Sequence, residues 1–229
     1  MCTVTVIRAG SDIRVACNRD ERIARPDARP PAPVTIGGRR AVMPIDPEGG
    51  GTWIAATEAG LVFTVLNVND VKERRTGSRR TRTASRGLVI PRLVRCSTPD
   101  AAISEMRGSD WSAFAPFRLL VISRTRHGEA RWNGRHLTTR RGPLRTPFMR
   151  TTSGLGDARV EGPRGRLFRR MVLRRPDRRA AQDRFHAHVW PSRPHLSVLM
   201  SRAGAHTVSQ TVVELSAGRA VMRYVARPR

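Results

Sequence analysis

Met1-Cys2-Thr3-Val4-Thr5-Val6-Ile7-Arg8, the turn formers Ala9-Gly10-Ser11-Asp12, and Ile13-Arg14-Val15-Ala16-Cys17 running into Asn18-Arg19-Asp20-Glu21 decide how this chain folds. Both halves alternate β-branched and other side chains, and the turn between them supplies the residue types that reverse a strand, so the chain opens with a β-hairpin. A hairpin brings the start of its first strand beside the end of its second. Cys2 and the Asn18-Arg19-Asp20-Glu21 tetrapeptide are therefore expected to meet, with the second strand running over 13–17 and the tetrapeptide at its end.

Outward from this hairpin, 25–48 is rich in Pro, Gly and Arg and reads as a long surface loop with at most a short strand at 41–43. A second hairpin follows, Thr52-Trp53-Ile54-Ala55-Ala56 and Leu61-Val62-Phe63-Thr64-Val65-Leu66-Asn67 around Glu58-Ala59-Gly60, nearly continuous in apolar residues as strands buried on both faces are. Residues 71–83 read as an exposed, mobile loop. Helices are expected over 86–95 and 100–106, then along the stripe Leu167, Phe168, Met171 and Val172, and over 177–186. Strands are expected at 117–123, 129–132, 136–139, 147–153, 195–201, 207–215 and 220–225. Hairpins at both ends with helices between them describe an α+β protein in which helices cover antiparallel sheets. No composition break divides the chain, so one domain over 1–229 is expected.

The charge is extreme: 43 Lys and Arg against 18 Asp and Glu, a formal net charge of +25. Only Lys72 is a lysine, and the arginines are spread along the whole chain. A phosphate-gripping surface uses both cations and gathers them on one face, so the distribution reads as coding bias, with no specific nucleic-acid partner. The field would still draw anionic substrates. Three cysteines without regular spacing fit a reducing compartment. No run approaches ~18 apolar residues, so no membrane span is expected. The first residues lack the basic and apolar regions of a signal peptide, and a cytoplasmic location is expected.

Cys2 carries chemistry because removal of Met1 would leave thiol and α-amine on one residue. An α-amine titrates near ~7.7–8.0, so at neutral pH part of it can accept the thiol proton and leave the nucleophilic thiolate. Arg19 can hold that thiolate by charge, and Asp20 can orient the amine. His186-Ala187-His188 with His195 suggests two imidazoles on one strand face and a third nearby, but no Cys, Asp or Glu completes a ligand set at a usual spacing, so no metal is expected. No cofactor is implied. Gly49-Gly50-Gly51 lacks the Lys-Ser or Lys-Thr of a phosphate loop and reads as a place of close backbone approach. Cys17 and Cys96 read as ordinary buried thiols.

Met1-Cys2, Asn18-Arg19-Asp20-Glu21, Arg25-Pro26, Gly50-Gly51-Thr52-Trp53, Gly60 and Asn67 together resemble the NRDE family, also called the transport and Golgi organisation protein 2 family. The resemblance is strong over 1–70; beyond it, Thr151-Thr152-Ser153-Gly154-Leu155-Gly156-Asp157 and Thr207-Val208-Ser209-Gln210-Thr211 are similar to later family segments. It implies the N-terminal nucleophile hydrolase fold, a four-layer αββα sandwich similar to choloylglycine hydrolases and penicillin V acylases. It also implies Cys2 as nucleophile and base, Arg19 and Asp20 as its supporters, and Asn67 as an oxyanion donor. Asn18, Glu21, Arg25, Gly51, Thr52 and Trp53 are the implied binding residues, and Ser153 and His206 stand nearest to the distal positions of the hydrolases. Those hydrolases order their pair as Arg-Asn-x-Asp, whereas this chain reads Asn18-Arg19-Asp20. The implied activity is hydrolysis of an amide or acyl bond, a C–N bond other than a peptide bond, in a small acylated molecule. The alternative is a carrier for haem or another hydrophobic anion of acyl type.

Overall fold

The computed structural model describes residues 2–69 and 84–227 of the 229. The loop expected over 71–83 lies outside the described residues.

β1 (Cys2–Ala9) and β2 (Asp12–Arg22) form the opening hairpin, with Gly10 at a φ of 63° in the reversal. That left-handed conformation is one an L side chain rarely adopts. β2 continues to Arg22, so the tetrapeptide is at the strand's end as expected but is itself part of the strand, which extends beyond the expected 13–17. The reason is β12 (Ala205–Ser216), which pairs β2 along its other edge from Ile13 to Arg22 and satisfies the backbone there. The first sheet runs β10 (Phe148–Thr151), β1, β2, β12, β11 (Ser201–Arg202), with β13 (Arg219–Ala226) also on β12.

The second sheet is an antiparallel meander in chain order: β3 (Arg29–Ile36), β4 (Arg39–Ile45), β5 (Ile54–Thr57), β6 (Val62–Asn67), β7 (Phe117–Ile122), β8 (Arg126–Trp132) and β9 (Leu137–Pro143). β3 and β4 replace the expected loop. Pro30, Pro31 and Pro33 argued against a strand, but β3 is the edge of its sheet, where a missing N–H need face no partner, and its pairing with β4 shifts register between Arg29 and Ala32.

A 3₁₀ turn (Arg86–Leu88) leads into α1 (Val89–Leu93), and α2 (Pro99–Gly108) is capped by Thr98, whose Oγ1 accepts the Ala101 N–H. α3 (Asp157–Phe168) starts ten residues before the apolar stripe that signalled it and passes into a π turn over Arg169–Leu173; α4 (Arg178–His186) follows. The strand expected at 195–201 is instead a 3₁₀ turn at Pro194–Leu196 and only two strand residues. The Leu196 and Ser197 carbonyls accept from Arg164 of α3, at 3.0 and 2.6 Å, in place of a ladder.

Alternation along β1 builds the layers. Val4 and Val6, with Ile13 and Val15 of β2, join the core shared with Ile54, Val62 and Phe63 of the other sheet. Ile7 points the other way into a second cluster with Leu167, Phe168, Ala181 and Phe185 of α3 and α4. α1 and α2 pack on the outer face of the second sheet, where a Cβ on Gly128 would stand 2.5 Å from Ile103. The result is helices, sheet, sheet, helices, as expected.

Candidate active site

The register of the opening hairpin sets the site. Cys2 lies opposite Arg19 and Val4 opposite Cys17, so Cys2, Cys17 and Arg19 share the face turned to the second sheet. Both thiols are free and buried. The Cys17 thiol donates a hydrogen bond to Cys2, which holds the Cys2 pKa below the usual thiol value although burial pulls it upward; the Arg19 charge acts in the same lowering direction. Cys17, as the donor and itself buried, is pushed well above the usual value.

Thr152, the residue after β10, closes round Cys2 from the other side. Its N–H donates to the Cys2 carbonyl at 3.0 Å, and its Oγ1 accepts from the Cys2 nitrogen at 3.2 Å. The nitrogen that would become an α-amine is thus already held by a hydroxyl. Thr152 came to notice only as part of a family-like segment, and Cys17 was read as an ordinary thiol. The signal for Cys17 was present: two residues before Arg19 on a strand is the same face.

Arg19 is fixed by three groups. Its guanidinium lies 4.3 Å from the Trp53 ring centroid and reaches Asp46 at 3.4 Å and Glu21 at 3.5 Å. Asp46 is itself clamped by Arg25, whose Nη2 donates to Oδ2 at 2.7 Å and Nε at 3.0 Å. Burial raises the Asp46 carboxyl, but the Arg25 hydrogen bonds and the Arg19 and Arg25 charges outweigh it and hold the pKa below the usual range. Arg25, implied as a binding residue, spends its fork on Asp46 and Glu48. The Trp53 Nε1–H is buried with no hydrogen-bond partner among the described residues, an unspent donor beside Arg19.

Asp20 and Asn18 lie on the helix side of β2, not with Cys2. Asp20 accepts from Thr207 Oγ1 at 2.6 Å and feels the charge of Arg164. Its burial dominates and pushes the carboxyl above the usual range despite these partners. Asn18 is a pin: Nδ2 donates to the His186 and Val198 carbonyls at 2.9 and 3.0 Å, and Oδ1 accepts from His186 Nδ1 at 2.8 Å. Both its amide hydrogens are spent on the fold.

Asn67 ends β6, half-buried, opposite Phe117. Asp157 ties this end to the Cys2 side, accepting the Asn69 N–H at 2.9 Å and the Ser153 N–H at 3.0 Å. Gly51 is the expected close approach, but to the 3₁₀ turn and not to the thiol: a Cβ there would stand 2.2 Å from the Gly87 carbonyl carbon. Thr52 continues that contact through its N–H to the Gly87 carbonyl and turns its hydroxyl to Ile54. A cavity of about 320 Å³ lies against Arg19, lined also by Glu21, Arg25, Ala28, Val208 and Tyr224. A larger one, about 740 Å³, opens at the far end of the sandwich around the β12–β13 turn.

The histidines do not form a strand-face pair. His186 ends α4, wholly buried between Thr5 and Asn18, while His188 packs edge-on to Trp190. Among the described residues no group of three or more His, Cys, Asp or Glu could hold a metal ion. His206 faces Glu21 across the β2–β12 ladder, and the Ser153 hydroxyl accepts the Leu155 N–H. No described helix is long and apolar enough to cross a membrane.

Two antiparallel sheets between helix layers, opened by a strand that begins at a buried cysteine, define the N-terminal nucleophile hydrolase fold, and solved structures bear this out. The chain is similar to the Caenorhabditis elegans N-acylethanolamine-hydrolyzing acid amidase ortholog, with a TM-score of 0.60, 14% identity and 92% of each chain covered. It is similar also to a mutant conjugated bile acid hydrolase from Clostridium perfringens, with a TM-score of 0.53, 10% identity, 99% of this chain and 92% of the other. At such identities the likeness is one of fold. No curated protein sequence matches the chain. The Transport and Golgi organisation 2 family matches residues 1–169, and the chain belongs to that family.

Proposed function

We propose that this protein is an N-terminal cysteine hydrolase acting on an amide or acyl bond of a small molecule after Met1 is removed. The observation that carries the reading is the environment of Cys2: a buried thiol biased toward thiolate by the Cys17 S–H, opposite Arg19, with its nitrogen held by the Thr152 hydroxyl.

In this reading the freed α-amine takes the Cys2 thiol proton and the sulfur attacks the carbonyl carbon. Asn67 is assigned as the donor to the developing oxyanion from the family resemblance, and the unspent Trp53 N–H stands beside Arg19. Collapse breaks the bond to the leaving group, which departs with the proton from the amine, and leaves a thioester on Cys2. Water then attacks the thioester, the amine again relays the proton, and the acid product leaves. Arg19, held by Trp53 and Asp46, stabilises the thiolate by charge. Asp20, protected from water and raised in pKa, fixes the β2–β12 junction through Thr207 and acts on the amine through its charge.

The test is a pair of measurements on protein from its native host. Intact mass should show Met1 absent, and Cys2→Ala should abolish turnover in a panel of acyl amides, esters and thioesters while leaving the circular dichroism unchanged. A chain that retains Met1, or a Cys2→Ala variant with full turnover, overturns the proposal. No histidine arrangement favours the carrier reading over this one.

A further inference from the structure

Arg166, Arg169, Arg170 and Leu173 follow one another at helix spacings of three, four and seven, while Leu167, Met171 and Val172 between them turn the other way into the helix-side core. The last turn of α3 begins this stripe, and the π turn over Arg169–Leu173 continues it. All four of its residues are exposed. Arg193 comes to the same place from the loop after α4. With Arg166 and Arg170 it rims a pocket of about 290 Å³ whose floor is Leu167, Trp190 and Leu196.

Arginines are spread over the whole chain, so charge alone singles out no surface. What distinguishes this one is the lack of counter-charge. Arg166, Arg169, Arg170, Arg174 and Arg193 make no ion pair and no side-chain hydrogen bond among the described residues. Residues 157–193 hold eleven arginines against four carboxylates, and each carboxylate is turned elsewhere. Asp157 accepts the Asn69 and Ser153 N–H groups, Asp177 caps α4 through the Ala180 N–H, Asp183 pairs with Arg14, and Glu161 lines a cleft with Arg118. The same surface is tipped with hydrocarbon. Leu173 and Val189 are 40% and 43% exposed, two of the four large hydrophobic side chains that stand out in this way among the described residues. Val189 adjoins Trp190 of the pocket, and Leu173 follows Arg170 by three residues.

We propose that this face binds the surface of an anionic lipid bilayer, the guanidiniums meeting headgroup phosphates while Leu173 and Val189 enter the acyl boundary beside them. A bilayer surface offers closely spaced negative charge and hydrocarbon in adjacent layers, which is the pairing this face presents. A nucleic acid would satisfy the guanidiniums and leave both aliphatic tips against phosphate or water. The chain would lie on the membrane and not cross it through a helix, since no described helix is long and apolar enough to span. The proposal is independent of the chemistry of Cys2.

Co-sedimentation of the full chain with vesicles at ~0.1 M salt, of phosphatidylcholine alone or with about one-third phosphatidylglycerol, tests it. Binding to the mixed vesicles only is expected. Each guanidinium near the surface contributes about fivefold, so Arg166→Gln/Arg170→Gln/Arg193→Gln should weaken partitioning about a hundredfold. Leu173→Ser/Val189→Ser keeps every charge and should still weaken it about tenfold. Arg29→Gln/Arg219→Gln/Arg223→Gln, on β3 and β13, removes as much charge as the first triple and should cost less than about threefold. Every one of these residues is exposed, so the variants will fold. Equal losses in the two arginine triples, unchanged partitioning of Leu173→Ser/Val189→Ser, or no binding to the mixed vesicles overturns the proposal. So does duplex DNA that binds more tightly than the mixed vesicles and loses as much with the first triple, which would make the face a polyanion site.

Discussion

His186 should make this protein lose stability in mild acid, by an amount the structure sets. The imidazole is wholly buried at the end of α4, with Nδ1 donating to Asn18 Oδ1 at 2.8 Å and Nε2 accepting from Thr5 Oγ1 at 2.7 Å. Gln182 Nε2 donates to the same Thr5 oxygen, which fixes the hydroxyl proton toward His186. Burial first, then the charges of Arg14 and Arg164, push the pKa down from 6.5 to about 3. A histidine depressed in the folded state is protonated first in the unfolded chain, so its contribution is present above pH 6.5 and lost as pH falls toward 3. From pH 7 to pH 5 the loss is about 2 kcal/mol, and by pH 4 about 3 kcal/mol. Urea unfolding of wild type and His186→Gln at constant ionic strength isolates it, because other titrating groups cancel in the difference. The variant will be weaker at pH 7 but should close on the wild type by about 2 kcal/mol at pH 5. A gap that stays constant from pH 7 to pH 5 refutes the reasoning. The matter bears on the site because this imidazole pins the strands that carry Cys2 and Arg19 to their helix layer.

Arg164 is fully buried and serves Thr3, Thr151, Leu196 and Ser197 while offsetting Asp20, so Arg164→Met should cost about 3–5 kcal/mol in chemical denaturation. Adding Asp20→Asn should recover part of that loss, and strict additivity would contradict the pairing. Gly51→Ala must push Cβ into the Gly87 backbone and should cost about 1–3 kcal/mol or more; a change within ~0.5 kcal/mol would show that the 3₁₀ turn yields freely. Cys17→Ala removes the S–H donor and should move the pH midpoint of Cys2 alkylation upward, whereas Cys17→Ser, which keeps a donor, should move it less. Equal midpoints in wild type and Cys17→Ala would remove Cys17 from the account.

The opening hairpin was legible because alternation and turn chemistry agree from Thr3 to Cys17, and 61–67 and 117–123 because long apolar runs have few alternatives. β3 was hidden by three prolines whose cost vanishes only at a sheet edge, a fact of topology that no local pattern carries. The first half of α3 was hidden by Gly162, Pro163 and Gly165, and it is held by what Arg164 reaches across the fold. The expected strand at 195–201 failed for the complementary reason, its carbonyls being taken by that arginine. In the site, Cys2 opposite Arg19 follows from counting along a hairpin. Asp20 on the other face follows from the same count, yet the tetrapeptide was read as one cluster because its end was taken for a turn. Thr152 depends on a pairing between distant segments.

Competitive alkylation with iodoacetamide at pH 7, quantified for each cysteine by peptide mass spectrometry, tests the central claim most directly. Cys96 is the most exposed of the three at 8%, against 4% for Cys2 and 1% for Cys17, so accessibility does not favour Cys2, and burial raises Cys96 as the Cys2 hydrogen bond raises Cys17. The account predicts that in Met1-free native protein Cys2 reacts first and well ahead of the other two. Cys2 reacting no faster than Cys17 or Cys96 would contradict it.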